Sequence, residues 1–222
     1  MSHQLKEIGI NLNLGGVVDL APLIGPSSIC NDNRCFSDNQ QTASYCTKRL
    51  MSAHANAHIF YALKHFPGHG STIVDSHYSL PDITQSHCEY EHMPYHQLIH
   101  QSFDYGMVMM GHLMNRRVDA RYPASLSRAH IATLTKTLTY NGLIITDDLN
   151  MRALQSFSTN KADLAAAAAD AGNHLLLFEH LSFGQLNDVI QRLKNNAKHQ
   201  PELKKHIETA TRRINAALGH QS

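Results

Sequence analysis

Five short apolar runs, each set off by a helix-like stretch, constrain this chain more than any other feature. They fall at 10–14, 59–64, 107–111, 143–146 and 174–178. Helical patterns occupy 2–8, 38–57, 92–105, 127–140 and 161–171, and two more helices, over 183–197 and 202–218, close the chain. Asp38 and Ser127 are placed to cap two of them, and Gly9 to end the first. Short apolar strands separated by helices specify parallel pairing through right-handed crossovers, with both sheet faces buried. In four cases a polar group stands where the run ends: Asp19, Lys64 with His65, His112, and Asp147 with Asp148. Parallel topology puts all of them on one rim, the carboxyl rim where α/β folds carry their chemistry. The pattern alone is compatible with a barrel or an open sheet.

The densest cluster follows the second run. Lys64-His65-Phe66-Pro67-Gly68-His69-Gly70 leads into Asp75-Ser76-His77. Pro67, Gly68 and Gly70 exclude helix and force an irregular path. A carboxylate on one imidazole nitrogen fixes the tautomer and leaves the other nitrogen for substrate, which makes Asp75 and His77 a candidate acid/base pair. The plainer reading is a loop Asp closing its own turn beside a surface His. Asp147, at the end of a buried strand, is rigid and partly desolvated, as a nucleophile requires. It is equally a candidate cap for the segment after it, and for Asp148 capping is the favoured role. Lys64 and His65 suit sugar hydroxyls or an anion, while Lys64 also suits an ion pair with Asp19 or Asp147. His65, His69, His77 and His112 form a conceivable zinc set, but no HxxxH or HExxH spacing supports one, so no metal is expected. Gly68-His69-Gly70 lacks the third glycine and following helix of a nucleotide-binding loop.

Bulk properties narrow the classes. The 222 residues suffice for one domain, 42% are hydrophobic, and the net charge of +1 gives no reason to expect a nucleic-acid partner. There is no run of 18 apolar residues and no apolar core in the N-terminal segment, so neither a membrane partner nor export is expected. Cys30, Cys35, Cys46 and Cys88 form no CxxC pair, and a reduced, cytoplasmic chain is the simplest expectation. Most of the 17 histidines lie on the expected helices or at their ends, where a solvated role is the default.

In sequence order these segments resemble glycoside hydrolase family 3, in its bacterial β-N-acetylhexosaminidase branch. The resemblance rests on Gly9 to Leu14 with Val17-Val18-Asp19, on Lys64 to Gly70 with Asp75-Ser76-His77, and on Gly106 to His112 with Tyr122 to Ser127. It continues through Gly142-Leu143-Ile144-Ile145-Thr146-Asp147-Asp148-Leu149-Asn150-Met151 and Ala171 to Leu177. It spans the whole chain as a single domain. The resemblance implies a retaining hydrolase of β-linked N-acetylglucosamine, of the kind found in cell-wall recycling. Asp147 is then the nucleophile, His77 the acid/base and Asp75 its partner. Lys64, His65, Arg34, His112 and Asp19 are the implied substrate-binding residues. No metal or organic cofactor is implied.

The resemblance also sets an expectation about completeness. A (β/α)8 barrel takes roughly 250 residues, whereas about five parallel strands are expected here. The family's first three βα units, and its Asp-x-Glu-Gly-Gly stretch, have no counterpart. The expected fold is therefore an incomplete TIM-type barrel with open edges at 10–14 and 174–178, since five strands do not close a small barrel. A homo-oligomer or a second chain would complete it; otherwise the chain is an impaired remnant or a sugar-binding subunit. Leu14-Gly15-Gly16 stands where the family has Phe-Ala-Pro, and Cys35 and Ser37 stand where it has Ser and Gly.

Overall fold

A computed structural model describes residues 1–22, 25–100 and 105–219. It is an α/β fold. A four-stranded parallel sheet runs in the order β1 (Leu12–Val17), β2 (Phe60–Phe66), β3 (Gly106–Met110), β4 (Leu143–Thr146). Around it lie α1 (Ser2–Glu7), α2 (Gln40–Asn56), α3 (Met93–Ile99), α4 (Arg128–Ala132), α5 (Lys161–Ala171), α6 (Phe183–His199) and α7 (Pro201–Gly219). The period-2 geometry of a strand sends alternate side chains to opposite faces. On one face Tyr61, Leu63, Val108, Met110 and Ile144 pack with Met51 of α2, Tyr95 and Leu98 of α3, and Ile131 of α4. On the other face Phe60, Ala62, Met107, Met109, Leu143 and Ile145 pack with Leu12, Leu14, Leu175 and Leu177, and Ile214 and Ala217 of α7 join them. Burying each large aliphatic side chain contributes about 1.5–3 kcal/mol, so these two layers supply much of what holds the strands level.

The sheet has four strands, not the five expected. Residues 174–178 do run beside β4, but only Leu175 forms a bridge, with Ile145. The cause is local. The Leu177 N–H donates to the Thr146 hydroxyl at 3.0 Å rather than to a backbone carbonyl, and the ladder stops there. Strand β1 begins two residues later than expected and runs on to Val17. Its register with β2 slips between Asn13 and Gly16, where a Cβ on Gly16 would overlap the Ala62 carbonyl. Glycine there lets the two backbones close up.

The helix starts show what local chemistry decides. Asn39, not Asp38, caps α2, its Oδ1 accepting from the Gln41 and Thr42 N–H groups at 3.0 Å each. Ser127 caps α4 as expected, its Oγ accepting from His130 N–H at 3.2 Å. That helix does not continue smoothly to Tyr140; it widens into a π turn over Thr133–Thr137. The helix expected over 92–105 is observed as α3, and residues 101–104 lie outside those described. Two cis peptide bonds, Lys64–His65 and Phe66–Pro67, fall at the end of β2. The expectation that all four cysteines are reduced is corrected, because Cys30 and Cys35 form a disulfide. Cys46 and Cys88 are free thiols. No helix among the described residues is long and apolar enough to cross a membrane.

Candidate active site

Level strand ends create the site. Val17 pairs with Lys64, Phe66 with Met110, and Met110 with Thr146. The pairing extends one step beyond the strands, since Val18 N–H donates to Lys64 O, Gly111 N–H to Phe66 O, and Asp147 N–H to Met110 O, all at 2.9 Å. Asp19, His65, His112 and Asp147 therefore meet on one rim, as the sequence pattern requires.

Asp19 is the anchor. Its carboxylate is buried and accepts three donors: His65 N–H at 3.1 Å to both oxygens, His65 Nδ1–H at 2.7 Å, and His69 N–H at 2.8 Å. Burial alone would push this carboxyl up. The His65 charge and hydrogen bond outweigh it and hold the group below its ordinary 3.8. The close approach that puts His69 N–H here needs Gly70, where a Cβ would overlap the Leu20 carbonyl. Asp19 thus has its oxygens spent on backbone and imidazole, and it serves to orient His65 rather than to meet a hydroxyl.

With Nδ1 tied to Asp19, the His65 ring points Nε2 at Asp147, 4.0 Å from Oδ2. Asp147 is 6% exposed. Burial raises its carboxyl, but His65, His112, the Asp148 N–H at 2.9 Å and Lys64 together bring it below the ordinary value. The result is a buried, rigid, ionised carboxylate. The half-buried Lys64 side chain makes no hydrogen bond among the described residues. Burial lowers its ammonium, Asp147 and Asp19 raise it, and the nearby Arg34 guanidinium lowers it, with a net fall. Arg34 also makes no hydrogen bond among the described residues. Lys64 therefore stands within electrostatic reach of Asp147, and Arg34 within reach of Lys64, with neither side chain hydrogen-bonded among the described residues.

His112 takes a different place from the one expected. Its Nδ1 lies 2.7 Å from Ser125 Oγ and its Nε2 lies 2.8 Å from Asp148 O. A carbonyl only accepts, so Nε2 carries the proton and Nδ1 accepts from the serine hydroxyl. Both nitrogens are used, leaving none for a sugar. Asp148 accepts from Asn150 and Glu179 N–H at 3.0 Å each, closing a turn rather than capping a helix, since the next helical turn, Arg152–Leu154, starts after Met151 without a side-chain cap.

Asp75 and His77 satisfy both readings at once. Asp75 Oδ1 accepts from His77 N–H at 2.9 Å, closing the turn, and from His77 Nδ1 at 2.6 Å. Slight burial raises the Asp75 carboxyl, and the two His77 bonds outweigh it and lower it. The loop is tied to the rim through Ser76 O, which accepts from Ala153 N–H at 3.3 Å. The His77 side chain is 56% exposed, and no contact joins it to Asp147 among the described residues. The Asp147 side of the site is therefore assembled, while the Asp75–His77 pair stands at the surface.

Glu91 is a positioning residue that sequence reasoning missed. Its buried carboxylate accepts from Ser71 N–H at 3.2 Å and Ser71 Oγ at 3.0 Å, and pairs with His87 Nδ1 at 2.8 Å. Gly68, at φ +138°, passes so close that a Cβ would meet the Glu91 side chain. The two ends of the signature loop are thus held by carboxylates from distant parts of the chain. Only the glycine pattern hinted at such close approach. Among the described residues no group of three or more His, Cys, Asp or Glu side chains is placed to hold a metal ion.

Parallel strands alternating with helices, with polar groups gathered at the carboxyl rim, define a TIM-barrel-like α/β domain. The chain belongs to glycosyl hydrolase family 3, whose N-terminal domain it matches over residues 1–217. A β-hexosaminidase of Nitrosospira multiformis is 30% identical over 181 residues, covering 80% of this chain and 50% of that protein. A β-hexosaminidase of Glaesserella parasuis is 30% identical over 205 residues, covering 90% of this chain and 57% of its own length. The chain thus spans about half the length of these curated relatives. Among solved structures, the β-N-acetylhexosaminidase of Beutenbergia cavernae superimposes with a TM-score of 0.86 at 23% identity, covering 98% of this chain and 65% of that one.

Proposed function

We propose that this domain is the catalytic part of a retaining hydrolase that releases β-linked N-acetylglucosamine from cell-wall-type saccharides. The observation that carries the proposal is the buried Asp147 carboxylate, held ionised by an imidazole that Asp19 locks in place. Asp147 attacks the anomeric carbon while His77, as imidazolium, protonates the leaving oxygen. The glycosidic bond breaks and a glycosyl ester forms on Asp147. Neutral His77 then takes a proton from water, whose oxygen displaces Asp147 and returns the sugar. Asp75 orients the ring and stabilises its charged form. Lys64, His65 and Arg34 hold the sugar, and Asp19 and His112 fix the groups that touch it. The β-hexosaminidase relatives support the substrate class. On this proposal a homo-oligomer or a second chain closes the sheet at the open edge of β1.

The test is turnover of a chromogenic N-acetylglucosaminide by the protein and its Asp147→Asn variant. Loss of turnover in the variant, with an unchanged melting temperature, is the expected result. Equal rates would remove Asp147 from the mechanism. One observation favours a second reading, a sugar-binding domain without turnover: the His77 side chain is more than half exposed and is paired with Asp75. That reading predicts calorimetric binding of N-acetylglucosamine by the parent chain and no release of chromophore.

A further inference from the structure

We infer that the Cys30–Cys35 disulfide is a thiol-sensitive clamp that sets Arg34 at the sugar site and thereby sets the affinity of that site. The inference rests on the proposed function and adds a control element to it.

The disulfide closes a six-residue ring, Cys30-Asn31-Asp32-Asn33-Arg34-Cys35, with Arg34 next to its closing residue. The first half of the ring is held by other means. The Ser27 hydroxyl accepts from Ile29 N–H at 3.3 Å and Cys30 N–H at 3.1 Å. Ser28 donates from its N–H to Thr72 O at 2.8 Å and from its hydroxyl to Val74 O at 3.1 Å, which fixes it to the signature loop. Asn33 turns the chain in the left-handed region, at φ +56°, and its N–H donates back to Cys30 O at 3.1 Å. Beyond Asn33 these ties end. Among the described residues, 34–36 make no hydrogen bond, and the next anchor is Ser37 O, which accepts from Ala21 N–H at 3.1 Å. Across that gap the disulfide is the fastening that holds Arg34 in place. Its importance follows from where the loop sits: Ser28 ties it to the signature loop at Thr72 and Val74, and Lys64 on the strand before that loop feels the Arg34 charge. A guanidinium without a hydrogen bond among the described residues binds sugar oxygens well only when its backbone is already placed, because otherwise binding must bear the ordering entropy.

The chemistry balances with a dithiol as reductant. One thiolate of the dithiol attacks a disulfide sulfur, the S–S bond breaks through a mixed disulfide, and the second thiolate completes the exchange. Two electrons and two protons pass to Cys30 and Cys35, and the dithiol leaves as a cyclic disulfide. The clamp is closed in an oxidising compartment and open in a reducing one.

The experiment compares the parent chain, with and without dithiothreitol, with a Cys30→Ser/Cys35→Ser double variant. The first readout needs no activity: trypsin cleavage of the Arg34–Cys35 bond, followed by mass spectrometry after a final reduction of all samples. Cleavage at least roughly tenfold faster in the open forms is expected, since a protease reports local opening. The second readout is KM for a chromogenic N-acetylglucosaminide, expected to rise roughly three- to tenfold with kcat largely retained, the effect of losing one placed polar contact. In an Arg34→Ala background the reductant should leave KM unmoved. Equal cleavage rates in closed and open forms overturn the clamp, whatever the activity. Faster cleavage with an unchanged KM also overturns it. Faster cleavage in a chain that turns over nothing even when oxidised overturns the proposed function and leaves the clamped loop standing.

Discussion

Replacing Asp19 tests how the site is held together. Asp19→Ala leaves three buried donors without an acceptor: His65 N–H, His65 Nδ1–H and His69 N–H. Each buried unsatisfied group costs about 1–3 kcal/mol, so the loss is roughly 3–9 kcal/mol, against a total stability of about 5–15 kcal/mol for a domain. Asp19→Asn differs. Its amide oxygen still accepts from both backbone N–H groups, but its NH2 faces His65 Nδ1, and the ring must move its proton to Nε2. Exchanging charge-assisted bonds for neutral ones costs about 1 kcal/mol each, and relief from burying a charge offsets part of it, leaving about 1–3 kcal/mol. The sign with pH follows from the lowered Asp19 carboxyl. A carboxylate held below its ordinary 3.8 contributes stability that is present above that value and lost as pH falls through the folded value. The Asp19→Asn deficit should therefore be full at pH 7 and shrink below pH 3.8. Urea unfolding followed by circular dichroism at pH 7, 4 and 3 measures it. A deficit as large at pH 3 as at pH 7, or an alanine variant as stable as the asparagine one, would refute the anchoring role.

Three further outcomes concern stability alone. His174 Nδ1 accepts from Ile144 N–H at 2.9 Å and Nε2 faces Arg213, so burial first and the guanidinium second push the imidazole down to about 4. Stability from the neutral ring is present above 6.5 and lost as pH falls to about 4, on the order of 3 kcal/mol. His174→Asn should therefore lose less melting temperature than the parent between pH 7.5 and 4.5, and parallel curves would count against it. Ile144 is fully buried in the sheet, so Ile144→Ala should cost about 2–5 kcal/mol. Ile190 on α6 is 40% exposed, and its alanine variant should unfold with the parent in the same denaturant titration.

The strands were legible because burial on both faces demands near-continuous apolar runs, and β4 begins and ends where its run does. The fifth run failed as a strand for a reason no hydropathy pattern carries: one hydroxyl, on Thr146, takes the N–H that the ladder needed. The rim was legible from strand ends, so Asp19, His65, His112 and Asp147 converge as expected. Their individual duties were not, because a strand-end polar group facing a sugar and one facing its neighbours have the same sequence. His112 spends both nitrogens on Ser125 and Asp148, which lie 13 and 36 residues away. Glu91 gave no signal, since its partner Ser71 lies 20 residues back across a loop whose path the sequence does not state. The Cys30–Cys35 pairing was missed because spacing alone does not show that a left-handed Asn33 folds the ring back on itself.

In the proposed mechanism, the division between a rigid nucleophile and an exposed acid/base pair follows from what each must do. A nucleophilic carboxylate must be ionised before substrate arrives and must not move, and burial among His65, Lys64 and the strand ends meets both needs. That same environment disqualifies Asp147 as proton donor, because a carboxyl kept ionised holds no proton to give. The proton must come from a group whose surroundings differ. Asp75 and His77 meet that requirement on a loop tied to the rim through Ser76, with Asp75 fixing one imidazole nitrogen and the other open to whatever approaches. Protonating a leaving oxygen requires that nitrogen within about 3 Å of it, so on the proposed mechanism the loop closes over the bound sugar by bending on either side of the Ser76–Ala153 tie. Loop closure, rather than attack by Asp147, is then the step most exposed to solvent viscosity. Turnover that falls with added viscogen in the parent chain, and not in a variant slowed at Asp147, is the signature of that order of events.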